Sequence, residues 1–324
     1  MIDFLKMRLD PSLEEQLLSN PLLDFKRPIS ELTGEIFYPQ VARYENLIFE
    51  FKSKDFILLS GSIHKYWQDN RNYKDFYYTD LCNAVDDICN KFDIDPKQAR
   101  INNIEYGVNL QNLPIRTYKI LDNLLRYSTN SFNPMRNNKH IPLSGKDCAM
   151  NQFTIKVYDK AKQYHLEHQI CRIEVKVKKM EHLFKKKIFI HTLDDLVDKS
   201  YLNMLGEDLE NTWNKILMFD TNLKKLKVTK VESAKLKDYG NLAYWERLHR
   251  ISPKSHNYHR DRMRYLINLL PNPIQGQIGK MINTKWLELS NFEHQELAKM
   301  TNFKKHEFSQ NDRSSSRSFW TKRM

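Results

Sequence analysis

Three short stretches of this 324-residue chain carry reactive side chains at a spacing of two. In FTIKVYDK, Phe153, Ile155 and Val157 alternate with Thr154, Lys156, Tyr158 and Lys160. In ICRIEVKVK, Cys171, Ile173, Val175 and Val177 alternate with Arg172, Glu174, Lys176 and Lys178. In INNIEYGVNL, Ile104, Tyr106, Val108 and Leu110 alternate with Asn103, Glu105, Gly107 and Asn109. Alternation with period two predicts half-buried strands. Joined in one antiparallel sheet, they would show Tyr158, two carboxylates, an arginine and several lysines on an open face. That set suits attack on a phosphodiester. A phenol with a pKa of about 10 is a poor nucleophile until a neighbour takes its proton or stabilises the phenolate. Lys160, on the same face, would lower the phenol's pKa or bind the phosphate. Glu105 and Glu174 are candidate ligands for Mg²⁺ or Mn²⁺, which would draw charge from the phosphate. The plain alternative for Tyr158 is an ordinary amphipathic strand residue, since aromatic side chains favour strands.

The elements that must position these residues follow from the rest of the pattern. Further strands are predicted over 2–9, 46–52 and 55–65. A helix follows from Leu81, Val85, Ile88, Cys89 and Phe92 at helical spacing, and a second over 115–127. After Thr192, a candidate N-cap, the pattern turns helical over 193–205 up to Gly206, 207–219, 241–250, 259–270 and 276–290. The fold class is therefore α+β: an antiparallel sheet with helices on one face, followed by a mostly helical C-terminal region. The division is read as a sheet domain over 1–200, a helical DNA-binding or accessory region over 201–295, and a basic, disordered tail over 296–324.

Fifty-two Lys plus Arg against forty Asp plus Glu leave a net charge of +12, which calls for a polyanionic partner. Lys176, Lys178 and Lys179, continued by Lys185, Lys186 and Lys187, are candidates to track a DNA backbone together with Arg172. Arg260 and Arg264 share a face of the 259–270 helix, opposite Met263, Leu266, Ile267 and Leu270. The two helices joined by ISPKSHN loosely suggest a helix-turn-helix-like unit for origin recognition, with a connection long for that motif. No apolar run is long enough to span a bilayer, and Asp3, Lys6 and Arg8 interrupt the opening MIDFLKMRL, so a soluble cytoplasmic protein is expected. The four cysteines form no Cys-x-x-Cys, and the eight glycines form no phosphate-binding loop.

Taken in order, MIDFLKMRL, GSIHKYWQDNRNYKDFYYTDL, INNIEYGVNL, FTIKVYDKAKQY and ICRIEVKVK, with the later DYGNLAYWERLHR and RDRMRYLINLL, resemble the filamentous-phage gene II type and related phage and plasmid rolling-circle replication initiators. The resemblance spans most of residues 1–290. It implies a nickase domain over 1–200 in which Tyr158, in the Tyr-x-Lys element with Lys160, is the nucleophile that stays joined to the cut strand. Glu105 and Glu174 would then be metal ligands or proton handlers, and His64, in the Gly-Ser-x-His block, a further candidate ligand. The partners implied are origin DNA, single-stranded at the nick and double-stranded for recognition, with a host polymerase and helicase. One departure is plain: the His-hydrophobic-His pair of the wider nickase class is absent. Tyr164 is a candidate second nucleophile, unless a helical turn after Lys160 points it away. Two other readings compete. An origin-binding protein without nuclease activity explains the charge equally well. A tyrosine recombinase, suggested by His259-x-x-Arg262, lacks a tyrosine after Tyr265 to serve it.

Overall fold

The computed structural model describes residues 1–29, 32–34, 37–137 and 140–290; the tail expected over 296–324 lies outside the described residues. Strand β1 (Ile2–Leu9) leads through α1 (Glu14–Ser19) to the meander β2 (Gln40–Tyr44), β3 (Leu47–Ser53) and β4 (Phe56–Ser62). Then come α2 (Ile63–Trp67), α3 (Tyr78–Phe92), β5 (Arg100–Leu110), α4 (Thr117–Asn123), β6 (Leu124–Tyr127), β7 (Asn130–Ser131), β8 (Asn133–Arg136) and β9 (Pro142–Ala149). Strand β10 (Phe153–Asp159), α5 (Lys160–Tyr164) and β11 (Cys171–Val177) complete the sheet region. After them run α6 (Glu181–Phe184), α7 (Leu193–Leu196), α8 (Lys199–Lys215), β12 (Ile216–Met218), α9 (Lys230–Tyr239), α10 (Leu242–Ile251), α11 (Pro253–Asn268) and α12 (Ile274–Ser290).

Nine strands form one sheet in the order β2-β3-β4-β1-β5-β11-β10-β9-β8, every neighbouring pair antiparallel. The alternation seen in the sequence decides which way each residue points. Leu5 and Met7 of β1, Ile104, Tyr106 and Val108 of β5, Ile173 and Val175 of β11, and Ile155 and Val157 of β10 belong to one buried apolar cluster with residues of α3, α8 and α12. Phe92 of α3 meets Phe49 of β3 at 4.6 Å between ring centroids, and Trp286 of α12 meets Tyr106 edge-on at 6.3 Å. Each such side chain taken out of water contributes about 1.5–3 kcal/mol, which holds the helices to this face. The other face keeps the polar residues. The fold is α+β, with the helical layer against the sheet's apolar side.

Several expectations need correcting, among them the strand over 55–65, which ends at Ser62 where α2 begins, and the helix over 207–219, which ends at Lys215 before β12. The helix foreseen over 115–127 stops at Asn123, and residues 124–127 form β6, which pairs with β12. Strand geometry points consecutive side chains to opposite faces, sending Leu124 into the main cluster and Leu125 into a second one. Gly206 does not end a helix. It lies inside α8, where a Cβ would fall 2.2 Å from Cδ1 of Trp286, so its lack of a side chain lets α8 and α12 approach. The stretch ISPKSHN is not a loop either: Ser252 ends α10 and caps α11, whose first residue is Pro253, a position that needs no backbone N–H.

The buried apolar residues among those described form two clusters. Helices α8 and α12 belong to the main cluster with the sheet. The second cluster is built from Leu217, Phe219, Leu223, Leu236, Tyr239, Trp245, Met263, Leu266 and Leu270, which lie between them in sequence, together with Leu125 of β6. Buried Arg126 ties the two regions, donating to the carbonyl of Trp245 at 2.9 Å. No described helix is long and apolar enough to cross a membrane.

Candidate functional site

Register places Tyr158 of β10 opposite Arg172 of β11 on one side and Gly145 of β9 on the other, while Glu174 stands opposite Lys156 and Gly107. Both glycines are notches. A Cβ on Gly107 would lie 2.5 Å from the Cβ of Glu174, and one on Gly145 would lie 2.4 Å from the Cβ of Tyr158. The tyrosine and the glutamate can therefore lean over the neighbouring strands.

The polar side chains of three strands then close into one network. The Tyr158 hydroxyl donates to Glu174 Oε2 at 3.2 Å. Lys156 Nζ bridges Glu105 Oε2 at 2.7 Å and Glu174 Oε1 at 3.0 Å. Arg172 Nε donates to Glu174 Oε2 at 2.9 Å, and Lys176 meets Glu105 Oε1 at 2.7 Å. Beyond Arg172 lies Asp3, 3.6 Å from Nη2. Asp3 also accepts from Asn72 Nδ2 at 2.8 Å, and Asn109 Nδ2 donates to the Asn72 carbonyl at 3.2 Å. The segment around Asn72, between α2 and α3, thus roofs part of the polar face. The open face expected from the sequence is correspondingly narrower: Arg172 is 1% exposed and Glu174 2%.

Asp159 ends β10 and accepts from the Lys162 amide at 3.0 Å, which turns the chain into α5. That turn buries Lys160 beneath the network, its Nζ 3.4 Å from the Tyr158 hydroxyl and 5.3 Å from the ring centre of Tyr164. Tyr164 is swung toward Asn72, donating to its Oδ1 at 2.7 Å.

Charge counting explains the electrostatics. Asp3, Glu105 and Glu174 are matched by Arg172, Lys156 and Lys176, and Lys160 is a fourth cation in the same buried space. Burial, reinforced by Arg172, pushes its ammonium down to about 7. Burial and the nearby Glu174 carboxylate push the Tyr158 phenol well above its ordinary value, so it rests protonated. Burial alone would raise Glu174, but Lys156 and Arg172 overcome this and hold its carboxyl ionised well below the usual range. A cleft of ≈ 370 Å³ opens onto the network, lined by Tyr158, Glu174, Lys156, Lys162, Gln163 and Ser144 among others.

The geometry gathers Tyr158, Lys160, Glu105, Glu174, Arg172 and Lys176 at one place. His64 makes no hydrogen bond or ion pair to these residues and lies on the Asp3 side, near enough for their charges to interact. It is buried on α2, stacked on Phe76 at 4.7 Å, with Nε2 3.1 Å from Gln68 Oε1, and burial pushes it down to about 3. Glu105 and Glu174, foreseen as ligands of a divalent ion, are each met by protein cations here. All four oxygens of Glu105 and Glu174 are engaged by Lys156, Lys176, Arg172 and Tyr158, and no group of three His, Cys, Asp or Glu among the described residues could hold a metal. Lys178 and Lys179 lie past the far end of β11, and the Lys178 Nζ donates to the Met150 carbonyl. Lys186 is turned to Asp208 at 2.5 Å, away from any backbone-tracking row. Arg260 pairs with Asp261 at 2.9 Å, and Arg264 donates to the Lys215 carbonyl at 3.1 Å, which commits that guanidinium to the fold. Sequence reasoning passed over Asp3, Asn72, Gly107, Gly145 and the bridging role of Lys156. The available signal was Asp3, a charge within the otherwise apolar start of β1.

No protein-family model and no curated protein matches the chain. Among solved structures it is similar to a rolling circle replication initiator protein from Geobacillus stearothermophilus, at 11% identity over 74% of this chain and 96% of that one, with a TM-score of 0.38. A likeness at that level leaves the functional reading to the geometry of the site.

Proposed function

We propose that the chain is a rolling-circle replication initiator that nicks one strand of its origin. One observation carries the reading: the Tyr158 hydroxyl, facing a cleft, sits within 3.4 Å of a lysine whose ammonium titrates near neutrality and 3.2 Å from an ionised glutamate. Glu174, held strongly ionised, is a weak base. Neutral Lys160 is the stronger acceptor and lies on the same oxygen. In the proposed step the scissile phosphate occupies the cleft beside Lys156 and Lys162, and Lys160 takes the phenol proton. Tyr158 Oη then bonds to phosphorus as the bond to the 3′-oxygen breaks. The products are a 5′-phosphotyrosine and a 3′ end that takes up a proton to become a free hydroxyl. That end would prime a host polymerase, and reversal of the step would rejoin the displaced strand.

A second reading rests on the saturated carboxylates. A closed ion-pair network of this kind also suits a structural sheet face, in which case the chain binds its origin without cutting it. Incubation with labelled single strands from candidate origins, in buffer with Mg²⁺ or Mn²⁺, separates the two. The nicking reading expects a DNA adduct that survives denaturation, is lost in Tyr158→Phe, and forms faster as the pH rises through about 7. An adduct that persists in Tyr158→Phe refutes the assignment, and no adduct on any origin favours the binding-only reading.

A further inference from the structure

At the opposite end of the polar face, two adjoining grooves of ≈ 820 and ≈ 340 Å³ share Lys97 and Arg100. The larger continues to Lys178 and Lys179, and the smaller to Arg8. Lys97, Arg100 and Lys179 are exposed and have no ion-pair partner among the described residues. The carboxylates on the rims are Glu181 and Asp10; Asp10 accepts from the Ser12 amide and keeps its charge near Arg100 and Arg8, which leaves the cations in excess. Beside these cations the end of α6 and the chain after it display three neighbouring rings, Phe184, Phe189 and His191. Phe184 and His191 lie 4.6 Å apart, and Phe189 and His191 are 6.4 Å apart with an interplanar angle of 5°. Phe189 is 45% exposed, an unusual position for a phenylalanine that the core could have taken.

Unpaired cations along a groove bind a phosphate backbone, and exposed ring faces beside them bind unstacked bases. A duplex offers no free base faces, and an acidic peptide would have no use for the parallel rings. We infer that this groove is a second DNA site that holds a single-stranded segment, its phosphates on Lys97, Arg100 and Lys179 and its bases against Phe189 and His191. The six residue steps from Arg172 to Lys178, along β11 and one residue past it, span roughly 20 Å at about 3.3 Å each, so the segment held here is separate from the one in the Tyr158 cleft. The choice of DNA as ligand rests on the nicking proposal; the groove itself does not depend on Tyr158.

The test is binding of a fluorescent oligothymidylate of about 15 nucleotides to the full chain, titrated across salt concentrations. Lys97→Ala combined with Arg100→Ala should flatten the plot of log K against log salt by about 1.4, two contacts at about 0.7 each for a single strand. Phe189→Ala should weaken binding about tenfold at fixed salt. Both changes lie at exposed positions, and far-ultraviolet circular dichroism checks that the fold survives. An unchanged slope and affinity in both variants overturns the inference, as does an equal loss on duplex of the same length. Because oligothymidylate carries no nick site, these results stand apart from adduct formation: adducts without any groove effect sink this site alone, and groove effects without adducts sink the nicking proposal alone.

Discussion

Replacing Lys160 by methionine should make the protein more stable while removing its activity. Lys160 is 1% exposed, and its ammonium is held at about 7 against an ordinary 10.5. A depression of roughly 3.5 units at about 1.4 kcal/mol each amounts to roughly 5 kcal/mol, an upper figure because the surrounding network relaxes. The sign follows from proton binding. Between about pH 7 and 10.5 the unfolded chain holds a proton on this lysine that the folded chain has released, so wild-type stability climbs through that window. Below about pH 7 both states are protonated and the folded state bears the full cost of a buried, unmatched ammonium. Methionine keeps the stem's packing and carries no charge. Urea unfolding near pH 6 should therefore show Lys160→Met more stable than wild type by about 3–5 kcal/mol, with the gap shrinking to about 1 kcal/mol or less near pH 10. Adduct formation should fall about 10²–10⁴-fold. A variant less stable than wild type near pH 6, or a gap that does not change with pH, would refute the charge count on which the proposed base depends.

Glu174→Gln should act in the opposite direction, lowering stability by about 3–5 kcal/mol in urea unfolding, because Arg172 and Lys156 lose the carboxylate that balances them in a buried space. The same network makes a pH prediction: the stability that ionised Glu174 contributes is present above the ordinary carboxylate pKa and is lost only in acid below it. Wild type should thus resist acid unfolding to lower pH than Glu174→Gln, as followed by tryptophan fluorescence. Gly206→Ala should lower the midpoint of thermal unfolding by an amount equivalent to about 1–3 kcal/mol, since its Cβ would collide with Trp286 between α8 and α12. An unchanged midpoint would mean that the two helices can slide apart at little cost.

Alternation of side chains was enough to find β1, β5, β10 and β11 and to assign Tyr158, Glu174 and Glu105 to a common face, because strand geometry with period two is local and independent of what lies across the sheet. The N-cap at Thr192 and the apolar stripe of α3 were legible for the same reason: the interactions that define them join residues three or four apart. Short elements competing with longer patterns were not. Residues 124–127 look helical alone and become β6 only because β12, some ninety residues later, supplies the partner strand. Gly206 looks like a stop until Trp286 is beside it. His64 looks like a ligand until α2 stacks it on Phe76 and sets its Nε2 against Gln68.

What the sequence determined by itself was therefore which residues face which way, together with the surplus of positive charge. Only the tertiary structure decided what those residues do to one another. It put Lys156 between Glu105 and Glu174, where a metal was expected, and brought Asp3 from β1 and Asn72 from a loop against Arg172. It also left Lys160 as the cation without a matching carboxylate. Burial and charge pairing depend on atoms far apart in the chain, and a proton's affinity for one amine is set by their sum.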